Sequence, residues 1–248
     1  MRMKNKVVLI TGGTRGLGKW YAHAFAKEGA MLSLVYKSDE NIAVETKKEI
    51  TEKYGQIVEI YRGNVEDEND VMNIVKQSVD KFGKIDILIN NAGIFKDSIS
   101  WKMDKKAWED VIATNLTGTF LVTKHVLPIM RNNNWGRIVN ISSVVGQIGV
   151  VGASNYSASK SGLFGFTKAV AREVANKNIT VNCVALGYFE EGMNLRLSEE
   201  LRAKILEQIP LKRFGKVEEA SSLILFLCSE EAGYITGQVI HINGGIFM

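Results

Sequence analysis

Proline and cysteine are scarce in this chain, with two residues of each among 248. Pro128 and Pro210 fall in no linker-like stretch, so we expect one domain over residues 1–248. Cys183 and Cys228 lie in apolar runs, which predicts small buried side chains rather than a disulfide or a metal site. The three histidines are scattered along the chain, and no metal site is expected.

Long apolar runs and dense charge clusters are also missing. No segment has the roughly 18 uninterrupted apolar residues of a membrane span. The apolar stretch after residues 1–6 is too short for a signal peptide and lacks a small-residue cleavage site, so a cytoplasmic location is expected. The net charge of +4 is spread along the chain, which argues against a nucleic-acid partner but suits an anionic cofactor or substrate.

Strand-like and helix-like segments alternate from end to end. The strands are continuous apolar runs, as expected when helices cover both faces of a sheet. This pattern predicts an α/β fold with a Rossmann-type, doubly wound parallel sheet of about seven strands. The predicted strands cover 7–10, 31–36, 57–61, 85–90, 137–141, 180–185 and 238–242, and a long helix is predicted at 105–130.

A glycine-rich segment joins the first strand to the first helix. Residues 11–18 read Thr-Gly-Gly-Thr-Arg-Gly-Leu-Gly. Glycines let the backbone approach a pyrophosphate closely, and the helix N-terminus offers free N–H groups. A plain strand-to-helix turn does not need four glycines together. Cofactor contacts are therefore predicted for Gly12, Thr14, Arg15, Gly16, Leu17 and Gly18.

The end of the second strand bears on the choice between NAD and NADP. An acidic residue there would bond the ribose 2′-hydroxyl of NAD, but the chain has Lys37 and Ser38 instead. With Arg15, these residues can hold a 2′-phosphate, which favours NADP, and the other interpretation is that Lys37 is a solvated loop residue. Asn64 follows the third strand and is predicted to bond adenine. After the fourth strand, residues 90–93 (Asn-Asn-Ala-Gly) are predicted to lie near the ribose.

Tyr156 and Lys160 stand just over one helical turn apart, a rise of about 6 Å, and share a helix face. A phenol titrates near pH ~10, and a fixed cation lowers that pKa. Reaching neutrality requires about 4 kcal/mol of differential interaction. The pair then acts as a general acid/base that needs no metal. Taken alone, the spacing also fits a surface tyrosine beside a solvated lysine.

These motifs together resemble the short-chain dehydrogenase/reductase family across nearly the whole chain. They are the segment 11–18, residues 90–93, Asn115, residues 141–143 (Ile-Ser-Ser), and Tyr156 with Lys160. The resemblance implies that Tyr156 protonates a substrate oxygen, that Lys160 lowers the pKa of the tyrosine and holds the nicotinamide ribose, and that Asn115 holds a relay water. Ser143 would orient the substrate; Ser142 competes for this role, but the family places the serine thirteen residues before the tyrosine. Further cofactor contacts are implied at Val65, Asn91, Ala92, Gly93, Gly187 and Phe189.

Within the family, the chain looks most like bacterial β-ketoacyl-carrier-protein reductases and acetoacetyl-CoA reductases. Residues 136–143, 162–167 and 242–245 carry this likeness. It implies NADPH-dependent reduction of a 3-oxoacyl thioester, linked to acyl carrier protein or CoA. Two alternatives stay open: reduction of another carbonyl such as a polyketide intermediate, sugar or steroid, and a non-catalytic binding or regulatory protein.

One region departs from the family pattern. After the sixth strand, Leu186 replaces the usual proline, and Glu191 stands where a threonine is expected. A carboxylate near a pyrophosphate repels it by about 1 kcal/mol or more, so either Glu191 points away to solvent or this loop is arranged differently from that of the family. A substrate lid is expected at about 188–210, where apolar side chains cover an acyl chain or pack a short helix. Small residues along the helix after Tyr156, together with the resemblance, predict a homotetramer.

Overall fold

The computed structural model describes residues 1–192 and 198–248. Within these residues, seven parallel strands form one sheet in the order β3-β2-β1-β4-β5-β6-β7. The strands are β1 (Val7–Thr11), β2 (Met31–Tyr36), β3 (Val58–Arg62), β4 (Ile87–Asn90), β5 (Gly136–Ser143), β6 (Ile179–Leu186) and β7 (Val239–Ile242). The predicted doubly wound parallel sheet is confirmed.

Helices cover both faces of this sheet. They are α1 (Gly16–Lys27), α2 (Glu40–Tyr54), α3 (Glu68–Phe82), α4 (Lys105–Ile112), α5 (Gly118–Asn132), α6 (Val145–Ile148), α7 (Ser154–Val174), α8 (Glu199–Gln208) and α9 (Val217–Leu227). Alternate residues of β1 show why its sequence is apolar throughout. Val8 and Ile10 pack in the core under α1 and α9, whereas Leu9 packs in the core under α3, α5 and α7.

Short-range signals fix where several helices begin and end. The side chains of Asp39 and Asp67 accept hydrogen bonds from the first-turn N–H groups of α2 and α3. Gly55 and Gly83 end the same helices in the left-handed conformation. Each of the two helices therefore ends at a defined residue, after which the chain turns back to begin the next parallel strand, β3 or β4.

The long helix predicted at 105–130 is interrupted. A π-helical turn at Ala113–Thr117 separates α4 from α5, and it carries Asn115. A π turn inserts one residue into the helical ladder, a feature often found at functional sites. Hydropathy alone gives no signal for it, because the apolar positions continue on either side.

The order in which strands are added to the sheet changes direction between β1 and β4. The connections that follow these two strands run over opposite faces of the sheet. In an open parallel sheet, a crevice forms at this switch point beyond the carboxyl ends of the strands, and ligands bind there. The glycine-rich segment follows β1, and residues 91–93 follow β4. Among the described residues, no helix combines the length and the apolar character that crossing a membrane requires.

Candidate active site

The glycine-rich segment adopts backbone conformations and packing that side chains would prevent. Gly12 and Gly16 have φ of +61° and +52°, in the left-handed region. A Cβ atom on Gly18 would lie 2.1 Å from the carbonyl oxygen of Gly12 and 2.7 Å from Nδ2 of Asn91. The close approach of helix α1 to this loop therefore depends on glycine at position 18.

The N-terminus of α1 is open toward the crevice. Arg15 occupies the N-cap position, its side chain makes no capping hydrogen bond, and the first turn has no acidic residue. Uncapped N–H groups and the positive end of the helix dipole favour an anion. Together with the glycine cradle, this end of α1 fits the pyrophosphate of a dinucleotide cofactor.

Asn91 ties the end of β4 to the glycine-rich segment. Its Nδ2 donates to the carbonyl oxygens of Thr11 and Gly12 at 3.0 and 3.1 Å. The Thr11 hydroxyl oxygen accepts from the N–H groups of Asn91 and Ala92, both at 3.0 Å. Thr14 is buried, and its carbonyl oxygen accepts from a threonine of α2. Hydrogen bonds therefore join the predicted cofactor-binding residues that follow β1 to those that follow β4.

Lys37 and Ser38, predicted to meet the adenosine part of the cofactor, are exposed just beyond the carboxyl end of β2. The Lys37 ammonium lies 3.0 Å from Oε1 of Glu66, a residue that sequence reasoning missed. Val65 is buried against Gly118 at the start of α5, and Asn64 is partly exposed beside Glu66. The end of β2 itself has no carboxylate, but the fold brings that of Glu66 beside it.

Three elements bring the four predicted catalytic residues to one side of the crevice. Tyr156 and Lys160 come from α7, Ser143 from the end of β5, and Asn115 from the π turn. Nδ2 of Asn115 donates to the carbonyl oxygen of Ile94 at 2.9 Å, and its Oδ1 accepts from the Ile94 N–H at 2.8 Å. A Cβ on Gly93 would lie 3.4 Å from Oδ1 of Asn115 and 3.5 Å from Nζ of Lys160.

The structure separates the two candidate serines. Ser142 is buried, and its hydroxyl donates to the backbone carbonyl of Lys160 at 2.8 Å. Ser143 is only partly buried, and a hydrogen bond joins its side chain to Tyr156. Ser142 therefore holds β5 against α7, whereas the Ser143 hydroxyl faces the crevice beside the phenol.

The pKa of Tyr156 differs from the sequence-based expectation. Removal from solvent raises it to about 12, although the hydrogen bond from Ser143 acts in the opposite direction. Nζ of Lys160 lies 5.6 Å from the centre of the phenol ring and donates instead to the carbonyl oxygen of Ile141 at 2.8 Å. The expected lowering by Lys160 does not arise in this geometry; desolvation dominates, and the phenol keeps its proton at neutral pH.

At neutral pH, burial destabilises the ionised form of Lys160. Its side chain is buried, and desolvation lowers its pKa from 10.5 to about 8. Holding this ammonium charged at pH 7 costs the folded state about 3 kcal/mol. Ionisable groups in such costly positions cluster at functional sites.

Two neighbours of Tyr156 escaped sequence reasoning. Asn155 is fully buried, and its Nδ2 donates to the carbonyl oxygens of Lys96 and Ala107 at 2.9 and 3.3 Å. It anchors the start of α7 and thereby the phenol. The negative charge of the Asp97 carboxylate also raises the pKa of Tyr156. Asn155 could have been identified from the sequence, because it is a polar residue next to the tyrosine. Asp97 lies in a loop, and no local sequence pattern predicts the path that brings this loop to the site.

The segment after β6 contributes mainly backbone. A Cβ on Gly187 would meet Cα of Asn243 at 2.6 Å, so glycine is required for close packing there. The Phe189 side chain is 2% exposed and belongs to the core under α1 and α9. The cofactor contact predicted for Phe189 is therefore not made by an exposed side chain. Leu186 is buried in the same core.

Glu191 lies beside helix α1. It lines a groove of about 360 Å³ together with Gly16, Lys19, Trp20 and Lys53. Glu49 lines the same groove and pairs with Lys19 at 2.6 Å. Glu191 thus lies on the α1 side of the glycine-rich segment, and its effect on cofactor binding stays a prediction.

The predicted lid falls partly outside the described residues. Met193, Leu195 and Leu197 belong to the part that the structure does not describe. Tyr188 stacks on Phe214 with ring centres 6.1 Å apart. Residues Ile205, Ile209 and Phe214 form a small apolar cluster with Tyr188, so α8 packs as a short helix against this corner of the molecule.

Comparisons with known proteins agree with this geometry. A family profile described as enoyl-(acyl carrier protein) reductase matches residues 12–246. A crystal structure from Sinorhizobium meliloti 1021, assigned as a short-chain alcohol dehydrogenase, superposes with a TM-score of 0.93 at 36% identity, covering 98% of this chain and 97% of the other. The chain therefore belongs to the short-chain dehydrogenase/reductase family, as its motifs predicted.

Full-length relatives show which group of reductases within the family the chain is similar to. The chain is 47% identical to the 3-oxoacyl-[acyl-carrier-protein] reductase of Aquifex aeolicus, covering 100% of this chain and 99% of the relative. It is 46% identical to the reductase of the same name from Thermotoga maritima, with 99% of each chain covered. The identity to that of Staphylococcus epidermidis is 42%, covering 98% and 100%.

Proposed function

We propose that this protein reduces 3-oxoacyl thioesters carried by acyl carrier protein to 3-hydroxyacyl thioesters, with NADPH as the cofactor. The observation that carries the proposal is the catalytic cluster: a protonated phenol, a serine hydroxyl and a buried ammonium lie together beside an anion-binding glycine cradle. The full-length likeness to 3-oxoacyl-[acyl-carrier-protein] reductases supports the choice of substrate.

Each residue has a task that its surroundings support. The nicotinamide cofactor, when bound, supplies the hydride that adds to the keto carbon. Tyr156 donates its proton to the keto oxygen, and the Ser143 hydroxyl donates a hydrogen bond that orients this oxygen. Lys160 donates to the ribose hydroxyls and, as a cation, stabilises the phenolate left on Tyr156. Asn115 is proposed to hold the water that returns a proton to the tyrosine.

The remaining proposed contacts follow the elements already described. Residues Gly12, Thr14, Arg15, Gly16, Leu17 and Gly18 surround the pyrophosphate, and Lys37 and Ser38 meet the 2′-phosphate. Adenine lies against Asn64 and Val65, the ribose near the nicotinamide against Asn91, Ala92 and Gly93, and the nicotinamide amide against the backbone of Gly187 and Phe189.

The proposal is tested by following NADPH oxidation with a panel of substrates. We expect turnover with acetoacetyl-acyl carrier protein and slower turnover with acetoacetyl-CoA. The name of the family profile makes enoyl reduction a second candidate, so the panel includes a trans-2-enoyl thioester, and non-thioester ketones complete it. Turnover confined to the enoyl thioester or to the other ketones would overturn the proposal, and turnover of none would favour a non-catalytic role.

The pH dependence of the reaction follows from the buried lysine. We expect kcat/KM to be flat below pH 8 and to fall about tenfold per pH unit above it, because Lys160 loses its proton with a pKa of about 8. Tyr156, with a pKa of about 12, adds no loss in this range. The Lys160→Arg variant, whose cation stays charged, is the control, and a falling limb that persists unchanged in it would contradict the assignment.

A second readout of the same group needs no turnover. Between pH 8 and about 10.5, unfolded Lys160 keeps a proton that the folded state releases, so its contribution to the free energy of unfolding rises with pH. Denaturant titrations of the wild type and of Lys160→Met should therefore converge as the pH increases across this window.

We also propose a homotetramer in which α5 and α7 meet their copies. Two observations support this assembly: Phe120 is 45% exposed and packs edge to face on Phe166, and a Cβ added to Gly165 would meet no atom within 4 Å. Phe120→Glu is expected to give a folded, smaller assembly by light scattering, because a carboxylate in an apolar interface is unpaired. Met72→Glu, on the outer face of α3, is the control with similar exposure. Equal masses for both variants would exclude this interface.

A further inference from the structure

At the proposed adenosine end of the crevice lies the carboxylate of Glu66, which none of the sequence motifs predicts. Tyr36, the last residue of β2, pairs with Arg62, the last residue of β3. The segments that leave these strands therefore run side by side, and they bring Lys37 and Glu66 together although they are 29 positions apart. Nζ of Lys37 lies 3.0 Å from Oε1 of Glu66.

Glu66 is held in place by groups other than Lys37. The Thr114 hydroxyl donates to its Oε1, and Nδ2 of Asn64 lies 3.4 Å from its Oε2. The backbone N–H of Glu66 donates to Oδ1 of Asn64 at 3.3 Å. The Glu66 side chain is 23% exposed, whereas that of Lys37 is 58% exposed. When Lys37 turns toward another anion, the carboxylate stays where these bonds keep it.

The carboxylate is charged at neutral pH. Partial burial opposes its ionisation, but the hydrogen bonds from Thr114 and Lys37 outweigh that effect and hold the pKa of Glu66 below its ordinary value. Lys37, a cation predicted to hold a 2′-phosphate, thus already has a fixed, ionised partner.

We infer that Glu66 limits the preference of this protein for NADPH over NADH. The Lys37–Glu66 pair has no net charge, so a 2′-phosphate must draw Lys37 away from a carboxylate that also repels it. The ribose of NADH has no phosphate at this position and meets neither penalty. This inference rests on the proposed use of NADPH and assigns to Glu66 a role in cofactor specificity.

The test is a binding titration, followed by nicotinamide fluorescence, of NADPH and of NADH to the full chain. Glu66→Gln keeps the shape and one acceptor oxygen for the Thr114 hydroxyl, but removes the charge. We expect this variant to bind NADPH about tenfold more tightly and NADH within about twofold of the wild type. A ratio of NADPH to NADH affinity that stays within about twofold of the wild type, or that falls, would overturn the inference.

Glu59→Gln is the matched control. Glu59 lies near the amino-terminal end of β3, seven residues before Glu66; its side chain is 24% exposed, and it bridges Lys47 and Lys81. It changes the net charge as Glu66→Gln does, so an equal gain in NADPH affinity in both variants would assign the effect to the overall charge and refute the inference.

Lys37→Gln separates this inference from the proposed function. It is expected to weaken NADPH binding about tenfold and to leave NADH binding unchanged. If Lys37→Gln weakens NADPH binding but Glu66→Gln does not change the ratio, the NADPH proposal stands and the role of Glu66 falls. If the wild type binds NADH at least as well as NADPH and Lys37→Gln has no effect, the NADPH proposal itself falls.

Discussion

Replacement of Tyr156 by phenylalanine is expected to lower kcat by about 10³-fold. The variant keeps the ring but loses the proton donor, and among the described residues the other hydroxyl at this place, that of Ser143, cannot give up a proton at neutral pH. NADPH affinity is expected to stay within about twofold, because the cradle at Gly18 and the Lys160 ammonium do not depend on the phenol. Steady-state kinetics and a fluorescence titration measure the two quantities.

Tyr21→Phe is the control for this substitution. Tyr21 is buried on α1, and its hydroxyl finds no hydrogen-bond partner among the described residues. Removal of that hydroxyl is expected to leave kcat unchanged and to raise the free energy of unfolding by about 1 kcal/mol. If Tyr156→Phe kept more than about a tenth of the wild-type kcat, the phenol would not be the general acid.

The Gly18→Ala variant is expected to lose dinucleotide binding by about 100-fold or more and to be destabilised by about 3 kcal/mol. The added Cβ would lie 2.1 Å from the Gly12 carbonyl oxygen, a backbone atom that cannot rotate away. Helix α1 must then move off the loop, and the N–H groups that face the crevice move with it. Titration with NADPH and denaturant unfolding test the two effects.

Gly136→Ala provides the comparison. Its added Cβ would lie 2.5 Å from the sulfur of Met130, but a methionine side chain can change rotamer, and Gly136 is at the amino-terminal end of β5, away from the crevice at the carboxyl ends of the strands. This variant is expected to cost about 1 kcal/mol of stability and to bind NADPH normally. Normal NADPH binding by Gly18→Ala would mean that the cradle does not hold the pyrophosphate.

Much of the architecture could be predicted because its causes are local. Continuous apolar strands alternate with amphipathic helices, and this pattern alone implies a parallel sheet covered on both faces. The glycines at 12, 16 and 18 report local backbone requirements, and the spacing of Tyr156 and Lys160 is set by one turn of one helix. The π turn at Ala113–Thr117 escaped prediction because the apolar pattern runs through it.

The electrostatics of the site could not be read in this way. The sequence suggested that Lys160 lowers the pKa of Tyr156, but the folded chain removes both groups from water and turns the ammonium toward Ile141. Desolvation depends on every element that closes over a group, and no spacing rule contains it. The pKa values of about 12 and about 8 therefore belong to the tertiary structure.

By itself, the sequence determined the fold class, the glycine cradle and the residues that can perform the chemistry, because each depends on neighbours within one strand, turn or helix. The tertiary structure alone decided that the Lys160 ammonium turns toward Ile141, where Glu191 lies, and that Glu66 meets Lys37 beyond the ends of β2 and β3. These contacts join segments far apart in the chain, so their distances exist only after the strands have paired and the helices have packed.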